Sequence, residues 1–141
     1  RTYYVARPGE TVAPAVVQRG FQVLRQAVEA AKAAVKIGGR GLDVDAAARK
    51  AIVDAGYDEF PFGLGHQVGR FPHDGTALFG PAWEKYAQKP FRPLEAGMVF
   101  TLEPRLTVPG HGIVSLEEMI VVTPRGAEWL STPQTELPVL R

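Results

Sequence analysis

The stretch MVFTLEPRLTVPGHGIVSLEEMIVV, residues 98–122, reads as two strands around a glycine-rich tip. Residues 98–103 (MVFTLE) and 114–122 (VSLEEMIVV) carry the β-branched and aromatic side chains that favour strands. Pro104 to Ile113, with Pro109-Gly110-His111-Gly112 inside it, joins them. A hairpin over this stretch has its midpoint near Gly110, so that Glu103 and Glu117 stand opposite each other. Strand parity agrees: Thr101 and Glu103 share one face, Ser115 and Glu117 the matching one. Opposed side chains in an antiparallel pair have Cβ atoms about 4.5–5.5 Å apart. Two carboxylates that close repel unless a shared proton or a cation compensates. The other readings are a shifted register, or two solvated surface glutamates. Met98, Phe100, Leu102, Met119 and Val121 argue that part of the ladder is buried.

Upstream lies GLGHQVGRFPHDG, residues 63–75, a segment read as flexible because it holds four glycines. It also holds two of the chain's three histidines, His66 and His73. A lone histidine among glycines is ordinarily structural or superficial. Two of them, beside a hairpin of paired carboxylates, suggest ligands, because imidazole is the commonest protein metal ligand. The chain has no cysteine, so a metal would be held by His, Asp and Glu. That donor set suits Zn²⁺, Mn²⁺, Co²⁺ or Fe²⁺. The third histidine, His111, reads as a surface residue of the hairpin tip, and Trp83 and Trp129 as packing residues.

The first half of the chain is helical in pattern. Residues 6–13 form a turn-rich connection, after which Val17, Phe21, Leu24, Val28, Ala31 and Val35 make one apolar stripe that Gly38 and Gly39 stop. Asp43 is the expected N-cap of a second helix with Val44, Ala47, Ala48, Ala51 and Ile52 inward and Gly56 at its end. Residues 82–88 read as a short helical turn and 127–131 as another strand. Two helices followed by a strand-rich half give an α+β class, with helices on one face of a mostly antiparallel sheet. With 141 residues, 45% of them hydrophobic, one domain with its own core is expected. The net charge of +1, without a charged block, points away from nucleic acid and anionic membranes. No apolar run approaches the roughly 18 residues of a membrane span.

These residues resemble a known family. Gly65-His66-x-x-Gly69-x-x-x-His73-Asp74, Gly97-Met98-Val99-Phe100-Thr101-Leu102-Glu103-Pro104 and Leu116-Glu117-Glu118-Met119 are similar, in order and spacing, to the three C-terminal motifs of the pita-bread metallopeptidases. That family includes methionine aminopeptidase, Xaa-Pro aminopeptidase and prolidase. Leu42 to Arg49 resembles its second-helix entry and Arg1-Thr2 the end of an Asp-x-Thr-Arg-Thr strand. The resemblance implies a pita-bread fold and a site of two divalent ions held by two Asp, one His and two Glu. His66 would be a ligand, Glu103 a ligand and the general base, and Glu117 a bridging ligand. His73 would hydrogen-bond the scissile carbonyl. It further implies a peptide or dipeptide substrate, closest to the Xaa-Pro-cleaving branch, with manganese among the candidate metals and a possible homodimer; the absence of cysteine is compatible with a cytoplasmic setting.

The sequence also departs from the pattern. Neither Asp ligand has a counterpart within it: Asp43, Asp45, Asp54, Asp58 and Asp74 do not match. The chain opens on Arg1-Thr2-Tyr3-Tyr4-Val5, which reads as a strand already under way. Residues 1–141 are therefore expected to be the C-terminal part of a single catalytic domain, with the aspartates on upstream strands. Phe62 stands where the Xaa-Pro branch commonly has a further histidine, Ser115 where it commonly has arginine, and Arg105 where glycine is frequent. Arg105 is a candidate substrate-binding residue, set either against a substrate carboxylate or simply in solvent. Alternatives are a pita-bread binding module without activity and a creatinase-like, metal-independent hydrolase.

Overall fold

The computed structural model describes all 141 residues. A short strand, β1 (Tyr4–Val5), precedes helix α1 (Ala15–Ala34), and all six stripe residues from Val17 to Val35 are at most 5% exposed. The helix stops before the glycines expected to stop it. Val35 turns extended, and its side chain stays in the core. Gly38 and Gly39 serve the connection instead: the Gly38 N–H donates to Leu94 O and the Leu94 N–H to Gly39 O, both at 2.8 Å.

Helix α2 (Gly41–Asp54) begins earlier than its sequence suggests. Arg40, not Asp43, occupies the cap, because a bridge to Pro93 holds Arg40 extended and its carbonyl accepts the Asp43 N–H. Asp43 sits exposed in the first turn, paired with the Arg40 guanidinium at 3.0 Å. Val44, Ala48 and Ile52 are buried as expected, whereas Ala47 and Ala51 are half-buried. Asp45 and Arg49 take the remaining inner positions, where an apolar-stripe argument does not look for charges.

The strand-rich half contains more strands than its short apolar runs suggest. They are β2 (Gly65–Val68), β3 (Leu78–Phe79), β4 (Val99–Leu102), β5 (Arg105–Val108), β6 (Gly112–Ser115), β7 (Glu118–Thr123), β8 (Gly126–Trp129) and β9 (Val139–Leu140). Five form an antiparallel sheet ordered β3-β2-β4-β7-β8. Strands β5 and β6 form an antiparallel ribbon, and β1 and β9 pair in parallel. Both helices lie against one side, α1 reaching β5, β6 and β8, and α2 reaching β3. The core between them is sealed by Phe21, Leu24, Ile52, Leu102 and Ile120, with Phe79 and Phe100 stacked at 4.0 Å.

The hairpin keeps the expected register over its whole length. Val108 pairs with Gly112 and Arg105 with Ser115 near the tip; Leu102 pairs with Glu118 and Val99 with Val121 further down. All these pairs centre on Gly110, whose φ of +74° makes it the turn residue. The expected connection, Pro104 to Ile113, is thus largely strand itself. The ladder breaks only at Glu103-Pro104 and Leu116-Glu117, where Pro104 has no N–H to give and its carbonyl takes the Leu116 N–H at 3.1 Å. Even-numbered residues of β4 to β7, such as Phe100, Leu106, Val114 and Ile120, point into the core. Odd-numbered positions, with Glu103, Arg105, Ser115 and Glu117, belong to the opposite face.

Candidate active site

The glycine-rich segment is not a flexible loop where the first histidine sits. Residues 65–68 form an inner strand, with Gln67 opposite Phe100 and Val68 opposite Val99, which sets His66 across from Thr101. The His66 N–H donates to Thr101 Oγ1 at 3.0 Å, and that hydroxyl donates to Glu103 Oε1 at 3.0 Å. The Glu103 N–H donates to Leu64 O at 2.7 Å. Glu103 is therefore fixed at both its main chain and its carboxylate. His66 Nε2 lies 3.4 Å from Glu103 Oε1, and the two side chains are 19% and 32% exposed, so a small solute can reach them.

Gly65 explains its own place in the motif. A Cβ there would lie 1.9 Å from Thr101 O, a main-chain atom that cannot swing away. Gly65→Ala is expected to cost roughly 3 kcal/mol of stability by overpacking. A urea titration checks it; an unchanged midpoint would mean β2 and β4 can separate freely.

His73 reaches the same place from the following loop. Its ring centroid is 4.0 Å from that of His66, edge-on at 65°, and its side chain is exposed. The loop is shaped by acceptors on its own flanks. Asp74 takes the N–H groups of Phe71 and Gly69, both at 2.9 Å; these, Phe71 first, hold its carboxyl below the usual range. Gln67 Oε1 takes the N–H groups of Thr76 and Ala77 at 3.0 and 3.1 Å.

The segment leading into β2 is nailed to α2. Arg49 Nε and Nη2 donate to the two Asp45 oxygens at 2.8 and 3.0 Å; Nη1 and Nη2 also reach Phe60 O at 2.8 Å and Phe62 O at 2.9 Å. Asp45 Oδ1 accepts the Leu64 N–H at 2.9 Å. Leu64 in turn holds Glu103. Sequence reading missed Asp45, Arg49, Thr101 and Gln67 as supports of the site. Thr101 alone carried a signal, since its parity places it beside Glu103.

The other candidates are placed as follows. Glu117 stands at the register position facing Glu103, one step beyond the Leu102–Glu118 pair, and is exposed. It is not gathered with the histidines: no three His, Asp or Glu side chains of the chain converge closely enough to hold a metal ion. Arg105 is not simply in solvent. It is half-buried, with its guanidinium carbon 4.8 Å from the centre of the Phe62 ring. His111 is an exposed residue of the hairpin tip, 3.1 Å from Pro109 O. Trp83 stacks on Tyr86 and Trp129 lies beside Lys32, so both pack rather than line the histidine cluster.

Residues 1–124 match the model of metallopeptidase family M24. The chain belongs to that family. It is 32% identical over 139 residues to an Xaa-Pro dipeptidase of Pyrococcus furiosus, covering 97% of this chain and 36% of that protein. It is 35% identical over 127 residues to a putative dipeptidase of Bacillus subtilis, covering 89% and 32%. Among solved structures, the dipeptidase PepE from Mycobacterium ulcerans superposes with a TM-score of 0.78 at 33% identity, over 97% of this chain and 34% of that one. Methionine aminopeptidase from Rickettsia prowazekii, at 21% identity and a TM-score of 0.69, shares the fold alone. The expected pita-bread fold is thus the fold of this chain, present in part. The chain spans about a third of the length of the curated M24 relatives it matches.

The donor types fit a divalent-metal peptidase of this family. The chain has no thiolate to offer, and His66 Nε2 and Glu103 Oε1, an imidazole nitrogen and a carboxylate oxygen, already border one space. Glu103 also has the hydrogen-bonded partner that orients a metal-binding carboxylate.

Proposed function

We propose that this chain is the C-terminal part of the catalytic domain of a metal-dependent exopeptidase that hydrolyses an N-terminal peptide bond, of the Xaa-Pro type. The observation that carries the reading is that His66 meets both Glu103, 3.4 Å from its Nε2, and His73, 4.0 Å between ring centroids, on one side of β2 and β4. His66, Glu103 and Glu117 would hold two divalent ions (Mn, Co, Zn or Fe), together with two aspartates outside residues 1–141. Once bound, these ions supply a water acidic enough to ionise near neutral pH and a Lewis acid for the carbonyl.

Glu103 is the general base. Thr101 holds one of its oxygens, so the carboxylate is oriented before substrate arrives. His73 stands beside His66 but on a separate loop, free to donate to the scissile carbonyl oxygen and to stabilise the charge that grows there. Arg105 stands on the substrate side. The homodimer rests on the resemblance to the Xaa-Pro branch, and the cytoplasmic setting on the absence of cysteine.

The test is elemental analysis and hydrolysis of Xaa-Pro and other dipeptides by the full-length protein. About two transition-metal ions per chain and release of the N-terminal residue are expected. Metal-free protein with no hydrolysis after metal addition would favour the binding-module alternative. His73→Ala is expected to lower kcat about 100-fold, the scale of one oxyanion donor, with metal content unchanged. Loss of metal in that variant would make His73 a ligand.

A further inference from the structure

We propose that Arg105 recognises a substrate carboxylate beyond the scissile bond. The proposal rests on the exopeptidase reading above and specifies what the site selects. Arg105 begins the ribbon two residues after Glu103, on the face that Glu103 and Glu117 share. Its cross-strand partner is Ser115, too small to fill the space over the strand and without charge to neutralise it. The guanidinium makes no ion pair, although two glutamates of the same face stand within a few residues. It is held instead by the Phe62 ring, whose centre is 4.8 Å away.

That platform is itself fixed. The Phe62 carbonyl accepts from Arg49 Nη2 at 2.9 Å, and its ring packs 5.7 Å from Phe60. A guanidinium set over a ring keeps an edge of N–H donors available to a further partner. That edge matches a carboxylate, which takes two parallel hydrogen bonds from it. An arginine braced on an apolar surface, half-buried and without an ion-pair partner among residues 1–141, is set up to pair with a substrate carboxylate. The carboxylate could be the free C-terminus of a dipeptide or an acidic side chain of the residue after the bond.

The experiment compares kcat/KM of the metal-loaded full-length protein on four peptides. These are an Xaa-Pro dipeptide, its C-terminal amide, an Xaa-Glu amide and an Xaa-Gln amide. A preference of about 10- to 100-fold for the carboxylate member of one pair is expected, the size of a charged hydrogen-bonded contact. Preference within the proline pair identifies the C-terminus, and within the Glu/Gln pair the side chain. Arg105→Met should bring that ratio close to one, and Arg105→Lys should keep part of it. Phe62→Leu, which removes the platform but keeps the charge, should reduce it several-fold. Equal use of acids and amides by the wild type, or a ratio that survives Arg105→Met, would overturn the inference and leave the exopeptidase reading standing. No hydrolysis of any of the four would overturn both.

Discussion

Glu103→Ala is expected to lower kcat/KM for peptide hydrolysis by at least about 1,000-fold and to weaken metal binding in the same preparation. General-base catalysis by a positioned side chain contributes about 100- to 10,000-fold, and here the same carboxylate is also proposed as a ligand. The structure argues that the loss will be local. The Glu103 N–H stays on Leu64 O, and Leu102 remains in the core, so the strand is kept. The Thr101 hydroxyl loses an acceptor but has His66 O within 3.5 Å. Steady-state kinetics, metal analysis and a thermal melt on one sample separate the effects. Retention of more than a tenth of the activity would remove Glu103 from the mechanism. A melt displaced as far as the kinetics would make the residue structural.

Asp45→Ala is expected to destabilise the protein by about 3–5 kcal/mol, the cost of leaving one partner of a buried ion pair unmatched. Asp45 is 1% exposed and Arg49 8%, so solvent cannot replace the missing oxygen pair. The variant strands two Arg49 donors and the Leu64 N–H together. Replacing both partners by apolar residues often recovers stability at a buried pair. Here the recovery should be partial, because Arg49 also serves Phe60 O and Phe62 O and those carbonyls would be orphaned. Urea unfolding of Asp45→Ala and of Asp45→Leu/Arg49→Met measures both quantities. A double variant as stable as the wild type would mean the carbonyls find other donors.

The connection between these two results is physical. Asp45 holds the Leu64 N–H, and the Leu64 carbonyl holds the Glu103 N–H. The charged pair on α2 thus reaches the proposed base through one residue of backbone.

The residues that declared themselves in the sequence did so through period and symmetry. The α1 stripe obeys helical spacing because only that face meets the sheet, and all six of its members are buried. The hairpin register was legible because a single turn residue, Gly110, sets it for both halves and parity then carries Glu103 to Glu117. His66 and His73 stood out by rarity, and the structure brings them within 4.0 Å of each other. The family followed from three motifs in order, and the match to residues 1–124 bears it out.

Strands β2 and β3 were hidden because they are short and lie among glycines that local propensity reads as loop. What makes Gly65 a strand residue is the Thr101 carbonyl lying against it, a contact 36 residues away that no local window contains. Asp43 resembled a cap by chemistry, and a bridge between Arg40 and Pro93 moved the helix start. Nothing local to α2 marks Asp45 and Arg49 as buried, because the 60–64 segment that is laid over them lies beyond the helix. The setting of Arg105, left open by the sequence, was decided by the ring beneath it, since Phe62 is 43 positions before it. By itself the sequence determined what depends on neighbours a few residues apart: periodicity, parity, turn chemistry and the supply of ligand types. The tertiary structure alone decided which polar groups lie buried, which strand approaches which, and whether a charge faces water or a ring, because each of these is set by atoms distant along the chain.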